Sequence, residues 1–103
     1  MEQGIFSVDD INRFFREQDE TIQRALPIAE AEALIWGVSK ELIEQLKQAA
    51  TRTQVSNTWF TVKVLRMAMN SECFSATYVI QSIINADDPF AQMNVLEGDI
   101  YFR

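Results

Sequence analysis

Ile11, Phe14, Phe15, Ile22, Ala25 and Leu26 recur at helical intervals near the start of the chain, while Asn12, Arg13, Arg16, Glu17, Asp19, Glu20 and Gln23 cover the remaining face. This pattern predicts an amphipathic helix over residues 8–25. Ser7 stands as its N-cap, Asp9 and Asp10 sit in the first turn where the helix dipole favours negative charge, and Phe6 and Ile11 have the staple spacing. The apolar stripe is narrow and close to a heptad seam, so it suits either the domain's own core or a second copy of the chain. Pro27 fits the first turn of a further helix, where its missing amide has no partner to lose. That segment runs over residues 28–36 and ends at Gly37, with Ala31, Leu34 and Ile35 inward, Glu30 and Glu32 toward solvent, and Trp36 as a core anchor.

The stretch from Gly37 to Asn70 reads as two helices joined by a tight turn. Ser39 caps the first, over residues 40–49, with Leu42, Ile43, Leu46, Ala49 and Ala50 on its buried side. Glu41, Glu44, Lys47 and Gln48 form its solvated side. Thr51 and Gln54 have the spacing of a capping box and predict the next helix over residues 52–69. On that helix Arg52, Ser56, Trp59, Lys63, Arg66 and Asn70 fall within an arc of about 80°, and apolar side chains fill most of the rest. So wide an apolar arc belongs to the central helix of a domain. Residues 60–64 also alternate like a strand, but the capping box and the length of the pattern favour helix.

Ser71 predicts a further helix over residues 72–86, with Cys73, Ala76, Ile80, Ile83 and Ile84 inside. Asp87-Asp88-Pro89 ends it, because a proline drives the residue before it out of α geometry. Residues 90–103 read as a tail, with a turn at Glu97-Gly98-Asp99 and an extended apolar Ile100-Tyr101-Phe102. The expectation is an all-α fold: one domain, residues 1–103, with about five helices, a helix-turn-helix-like pair over residues 39–69 and a short extended C-terminal tail.

Composition bounds the function. At 103 residues and 48% hydrophobic content the chain can bury a core without staples. The net charge of −6 argues against nonspecific binding to DNA or to an anionic membrane and favours a basic partner. A lone cysteine and no histidine remove an internal disulfide, a cysteine zinc site and the usual general base. Charges throughout residues 1–20 and the absence of an 18-residue apolar run predict a cytoplasmic chain without signal peptide or membrane span. Asp9/Asp10 and Asp87/Asp88 are paired carboxylates, yet helix start and helix end account for both pairs. With no phosphate loop, nucleophile elbow or metal set, the chain reads as a non-enzyme without cofactor.

Two binding functions remain. In the first, Arg52, Lys63 and Arg66, with Ser56, Trp59 and Asn70 on the same arc, supply the cations and short polar groups of a DNA reader. On an acidic chain that face needs a more basic partner subunit to hold DNA. The run Ala33-Leu34-Ile35-Trp36-Gly37-Val38-Ser39-Lys40-Glu41-Leu42, with Leu46 and Thr51-Arg52-Thr53-Gln54-Val55 after it, resembles the centre of the FlhD family, small helical subunits of a bacterial transcription activator. The likeness covers residues 33–55, with a one-residue slip in the middle, and stops before Asn70. It implies a dimeric subunit that helps an FlhC-like partner protein engage promoter DNA. In the second function the chain is an acidic immunity, anti-activator or phage-type inhibitor protein that blocks a basic partner. Glu17, Asp19, Glu20, Glu30 and Glu32 then supply the charge, and Trp36 or Tyr101 the apolar anchors.

Overall fold

The computed structural model describes the backbone of residues 8–101 and the side chains of residues 20–98. Within that span the chain forms five helices and no strand: α1 (Val8–Ile35), α2 (Lys40–Ala50), α3 (Asn57–Asn70), α4 (Ala76–Ile84) and α5 (Pro89–Tyr101). The expected all-α bundle is the observed one. Ser7 and Phe6 lie outside the described residues.

α1 is a single 28-residue helix, about 42 Å long, that runs straight through Pro27. Sequence reading expected a restart there. What holds the helix together is a small-residue stripe, Ala25, Ala29 and Ala33, buried at four-residue intervals across the proline, while Pro27 itself faces solvent. A break at Pro27 would throw Ala29 and Ala33 out of phase with Ala25. The correction reaches further: because the phase carries over, Ala31, Leu34 and Ile35 point outward, not inward as a freshly started helix allowed.

α1 ends in a Schellman turn. Val38 N–H donates to the Ala33 carbonyl at 2.9 Å and Gly37 N–H to the Leu34 carbonyl at 3.1 Å. Gly37 takes φ +93°, a left-handed conformation that a Cβ would strain. The accompanying apolar contact positions are filled by Val38 and Ala33, both buried. Ser39 then caps α2 as expected, accepting from Leu42 N–H at 3.1 Å.

α3 occupies the middle of the bundle and packs against each of the other four helices. Phe60, Val62, Val64, Leu65, Met67 and Ala68 are buried on it, a distribution too wide for one face of a strand and suited to an inner helix. Buried Thr61 donates its hydroxyl to the Asn57 carbonyl at 2.9 Å, so that hydroxyl is not stranded in the core. The start of α3 differs from expectation. Thr51 caps the end of α2: its N–H and its hydroxyl both donate to the Gln48 carbonyl. Ser56 is the N-cap of α3, its hydroxyl accepting from Trp59 N–H at 3.2 Å. Residues 51–56 therefore form a connection between the two helices, longer than a tight turn, and Arg52 lies on that connection rather than on α3.

Ser71 and Ser75 repeat one motif. Ser71 accepts from Phe74 N–H and closes one turn; Ser75 accepts from Tyr78 N–H and starts α4 proper. Cys73 is consequently exposed in the connection, not inside the helix stripe. Val79, Ile80 and Ile83 form the inner side of α4. Residues 89–101 are helical, which corrects the extended tail: Ile100 and Tyr101 continue α5, and Phe102 lies outside the described residues. Asp88 caps α5, its carboxylate accepting from Ala91 N–H at 3.1 Å, and Pro89 takes the first helical position. Met93 and Leu96 bury α5 against the bundle.

Candidate functional site

Four of the six residues expected on one cationic arc are brought together on α3. Trp59, Lys63, Arg66 and Asn70 line one cleft of about 280 Å³ with Ile22 of α1, Val62 and Met67 of α3, and Glu97 of α5. The spacing explains it: steps of four, three and four residues advance along one helix face. Ser56 precedes them by a turn, with its hydroxyl engaged as the N-cap. Arg52 is elsewhere. Its guanidinium donates to the carbonyls of Ile84 at 2.9 Å and Ala86 at 3.4 Å, where it satisfies the C-terminal end of α4 and interacts with the negative end of that helix dipole.

The electrostatics of the cleft are mixed. Lys63 Nζ lies 2.8 Å from the Glu97 carboxylate and 5.7 Å from the centroid of the Trp59 ring. Trp59 is in turn tilted against Phe90, ring centroids 6.4 Å apart. Arg66 is exposed and makes no ion pair among the described residues. Of three expected cations, one caps a helix, one is paired with a carboxylate and one makes no ion pair among the described residues. A second cleft of about 480 Å³ lies where the α2–α3 connection meets Asp87, Asp88 and Phe90.

The second candidate surface is the C-terminal end of α1, which carries several of the molecule's exposed large apolar side chains: Ile28 at 61% exposure, Leu34 at 47%, Ile35 at 83% and Trp36 at 64%. Trp36 was expected in the core. It is instead the last residue before the Gly37 turn, and the buried turn contacts fall to Val38 and Ala33. Ile28 and Ile35 are seven residues apart and share a face. At 100° per residue, Ile35, Ile28, Glu32 and Trp36 fall on an arc of about 100°. The rigid end of a helix thus presents an apolar face with one carboxylate inside it. The sequence signal for part of this face was present: carrying the phase of Ala25, Ala29 and Ala33 onward places residues 28 and 35 well away from the buried stripe, with residue 32 beside it at the phase of Ala25.

The acidic residues expected as partner contacts divide. Glu20 pairs with Arg24 at 3.5 Å, and Glu30 with Lys47 at 2.9 Å. Lys47 also reaches Glu44 at 3.3 Å, as the spacing along α2 suggests. These carboxylates hold the Lys47 amine above its ordinary pKa, the hydrogen bond to Glu30 being the largest cause. Glu32 is exposed and makes no ion pair among the described residues. The side chains of Glu17, Asp19 and Tyr101 lie outside the described residues.

Among the described residues no three of His, Cys, Asp and Glu gather as a metal site, and no helix is long and apolar enough to cross a membrane. Comparison of the chain with models of known protein families, with curated proteins and with solved structures finds no match. Fold and surface together define a class: a small all-α protein with an exposed apolar helix end and a mixed-charge cleft on its central helix.

Proposed function

We propose that this chain is a non-enzymatic binding protein, a subunit of a transcription-regulating complex. It grips a protein partner through the apolar end of α1 and reaches DNA chiefly through that partner. The observation that carries the reading is the exposure of Ile28, Ile35 and Trp36 on one rigid helix end. Large apolar side chains gathered on a surface mark interaction sites, and a tryptophan at their edge is the residue type most often dominant in binding energy. Residues 33–55, which resemble the FlhD family, comprise the end of α1, the Gly37 turn, α2 and the connection after it, so Trp36 lies within that stretch. One arginine on α3 that makes no ion pair among the described residues, in a chain of charge −6, supports a contributing DNA contact rather than autonomous DNA binding.

The experiment is affinity capture from the native host with wild-type chain and with Ile35→Glu, read by quantitative mass spectrometry. The expected result is a DNA-binding protein held near one-to-one by the wild type and depleted about tenfold or more by the substitution. Capture of no such protein, or equal capture by both chains, overturns the reading.

A further inference from the structure

We infer that the occupant of the α1 end is an amphipathic helix whose apolar stripe is flanked by lysine or arginine, with Glu32 as the group that selects it. This rests on the reading of that end as a protein-binding surface and adds the chemistry of what binds.

The geometry comes first. From Ile28 to Trp36 is eight steps of a helix, about 12 Å, or little more than two turns. Ile28, Ile35 and Trp36 therefore form a short, convex apolar edge, which suits the i, i+3 or i+4, i+7 anchors of a crossing helix rather than an extended strand. A small ligand needs a concavity, and neither of the two clefts described above is lined by these residues.

Charge then separates the possible occupants. Glu32 sits four residues after Ile28 and four before Trp36, so its carboxylate borders both. Neighbouring cations are already engaged: Arg24 with Glu20, and Lys47 with Glu30 and Glu44. A docked helix that covers Ile28 and Trp36 removes water from around Glu32. Left without a cation, that carboxylate carries the desolvation cost of a buried unpaired charge. A flanking lysine or arginine removes the cost and adds a charge-assisted hydrogen bond. A second copy of this chain is disfavoured on the same ground, since pairing like faces sets Glu32 against the same acidic surface and joins two molecules of charge −6.

The test uses two labelled 14-residue peptides of identical helical period, one of leucine and lysine and one of leucine and glutamate, with binding read by fluorescence anisotropy at physiological salt. The wild type is expected to bind the lysine peptide about tenfold or more tighter than the glutamate peptide. Glu32→Gln should narrow that ratio about fivefold. Glu72→Gln, an equal change in net charge in the α3–α4 connection, should narrow it less than about twofold. Ile35→Glu should abolish binding of both peptides. Circular dichroism guards against misfolding, since all three residues are exposed.

Equal effects of Glu32→Gln and Glu72→Gln, or equal binding of the two peptides, overturn the charge selection and leave the apolar surface standing. Undiminished binding by Ile35→Glu overturns the surface itself. A wild-type dimer in sedimentation that Ile35→Glu dissolves makes the occupant a second copy, and the inference fails.

Discussion

Lys63 on α3 and Glu97 on α5 form an ion pair, Nζ to carboxylate 2.8 Å, that sets the charge of the central helix's outer face. Both side chains are about one-third exposed, so solvent screens the pair and its contribution to stability is small. Its effect on recognition is larger than its effect on folding. Glu97→Gln is expected to change stability by less than about 1 kcal/mol. If the face meets DNA in the assembled complex, the same substitution frees Lys63 and steepens the salt dependence of DNA retention by about one phosphate contact. Arg66→Ala should make it shallower by a similar amount. Retention that ignores both changes removes this face from any DNA interface.

Arg52 separates a structural role from a recognition role. It holds the carbonyls of Ile84, the last residue of α4, and of Ala86 just beyond it. Arg52→Ala should therefore lower unfolding free energy by about 1 kcal/mol in urea titration, since a partly exposed charge-assisted bond is screened. The salt slope of DNA retention should stay unchanged. A change in slope without a loss of stability would return Arg52 to the reading face.

Pro27 tests the continuity of α1. Inside a helix a proline forfeits one backbone bond and crowds the preceding turn, at a cost of up to about 3 kcal/mol relative to alanine. At a helix start it costs nothing and restrains the unfolded chain. Pro27→Ala should raise the midpoint of thermal unfolding because Pro27 is interior and exposed. A lowered midpoint would show two helices meeting there.

Lys47 gives a pH signature. Its folded pKa is raised, the Glu30 hydrogen bond first among the causes, so the proton is held more tightly in the folded state than in the unfolded one. The stability this contributes is complete below the unfolded lysine value, about 10.4, and is lost as pH rises through the folded value. A double-mutant cycle of Lys47→Met and Glu30→Gln should show coupling at pH 7 that fades as pH rises through the folded lysine value. Coupling that persists unchanged at high pH would sink the assignment.

Local chemistry was readable where the partner lies within four residues and a single signal stood alone. Ser39 as a cap, Gly37 as a stop and the buried stripe of α2 follow from contacts inside one turn. Where two local signals competed, reading failed: Thr51 had the spacing of a capping box, but its hydroxyl and amide serve the end of α2, and Ser56 one turn later caps α3. The Asp88-Pro89 pair begins α5, an aspartate cap followed by proline at the first helical position, whereas α4 has already stopped at Ile84 with Asn85 as its C-cap. The low helix preference of Gly98 and the β-branched Ile100 pointed toward an extended end, and packing of Met93 and Leu96 overrode it.

The amino-acid order alone determined an all-α fold, a central apolar helix, read over residues 52–69 and found over 57–70, and a grouping of Trp59, Lys63, Arg66 and Asn70 on one side of it. These are consequences of periodicity, which needs no knowledge of neighbours. Tertiary structure decided which of those charges remain available and which apolar side chains stay wet. Glu97 reaches Lys63 from 34 positions away, Arg52 finds carbonyls 32 and 34 positions away, and α1 holds its phase through Pro27 because Ala25, Ala29 and Ala33 are buried together. Such pairings depend on how helices are set against one another in space, and no pattern within a single helix encodes that.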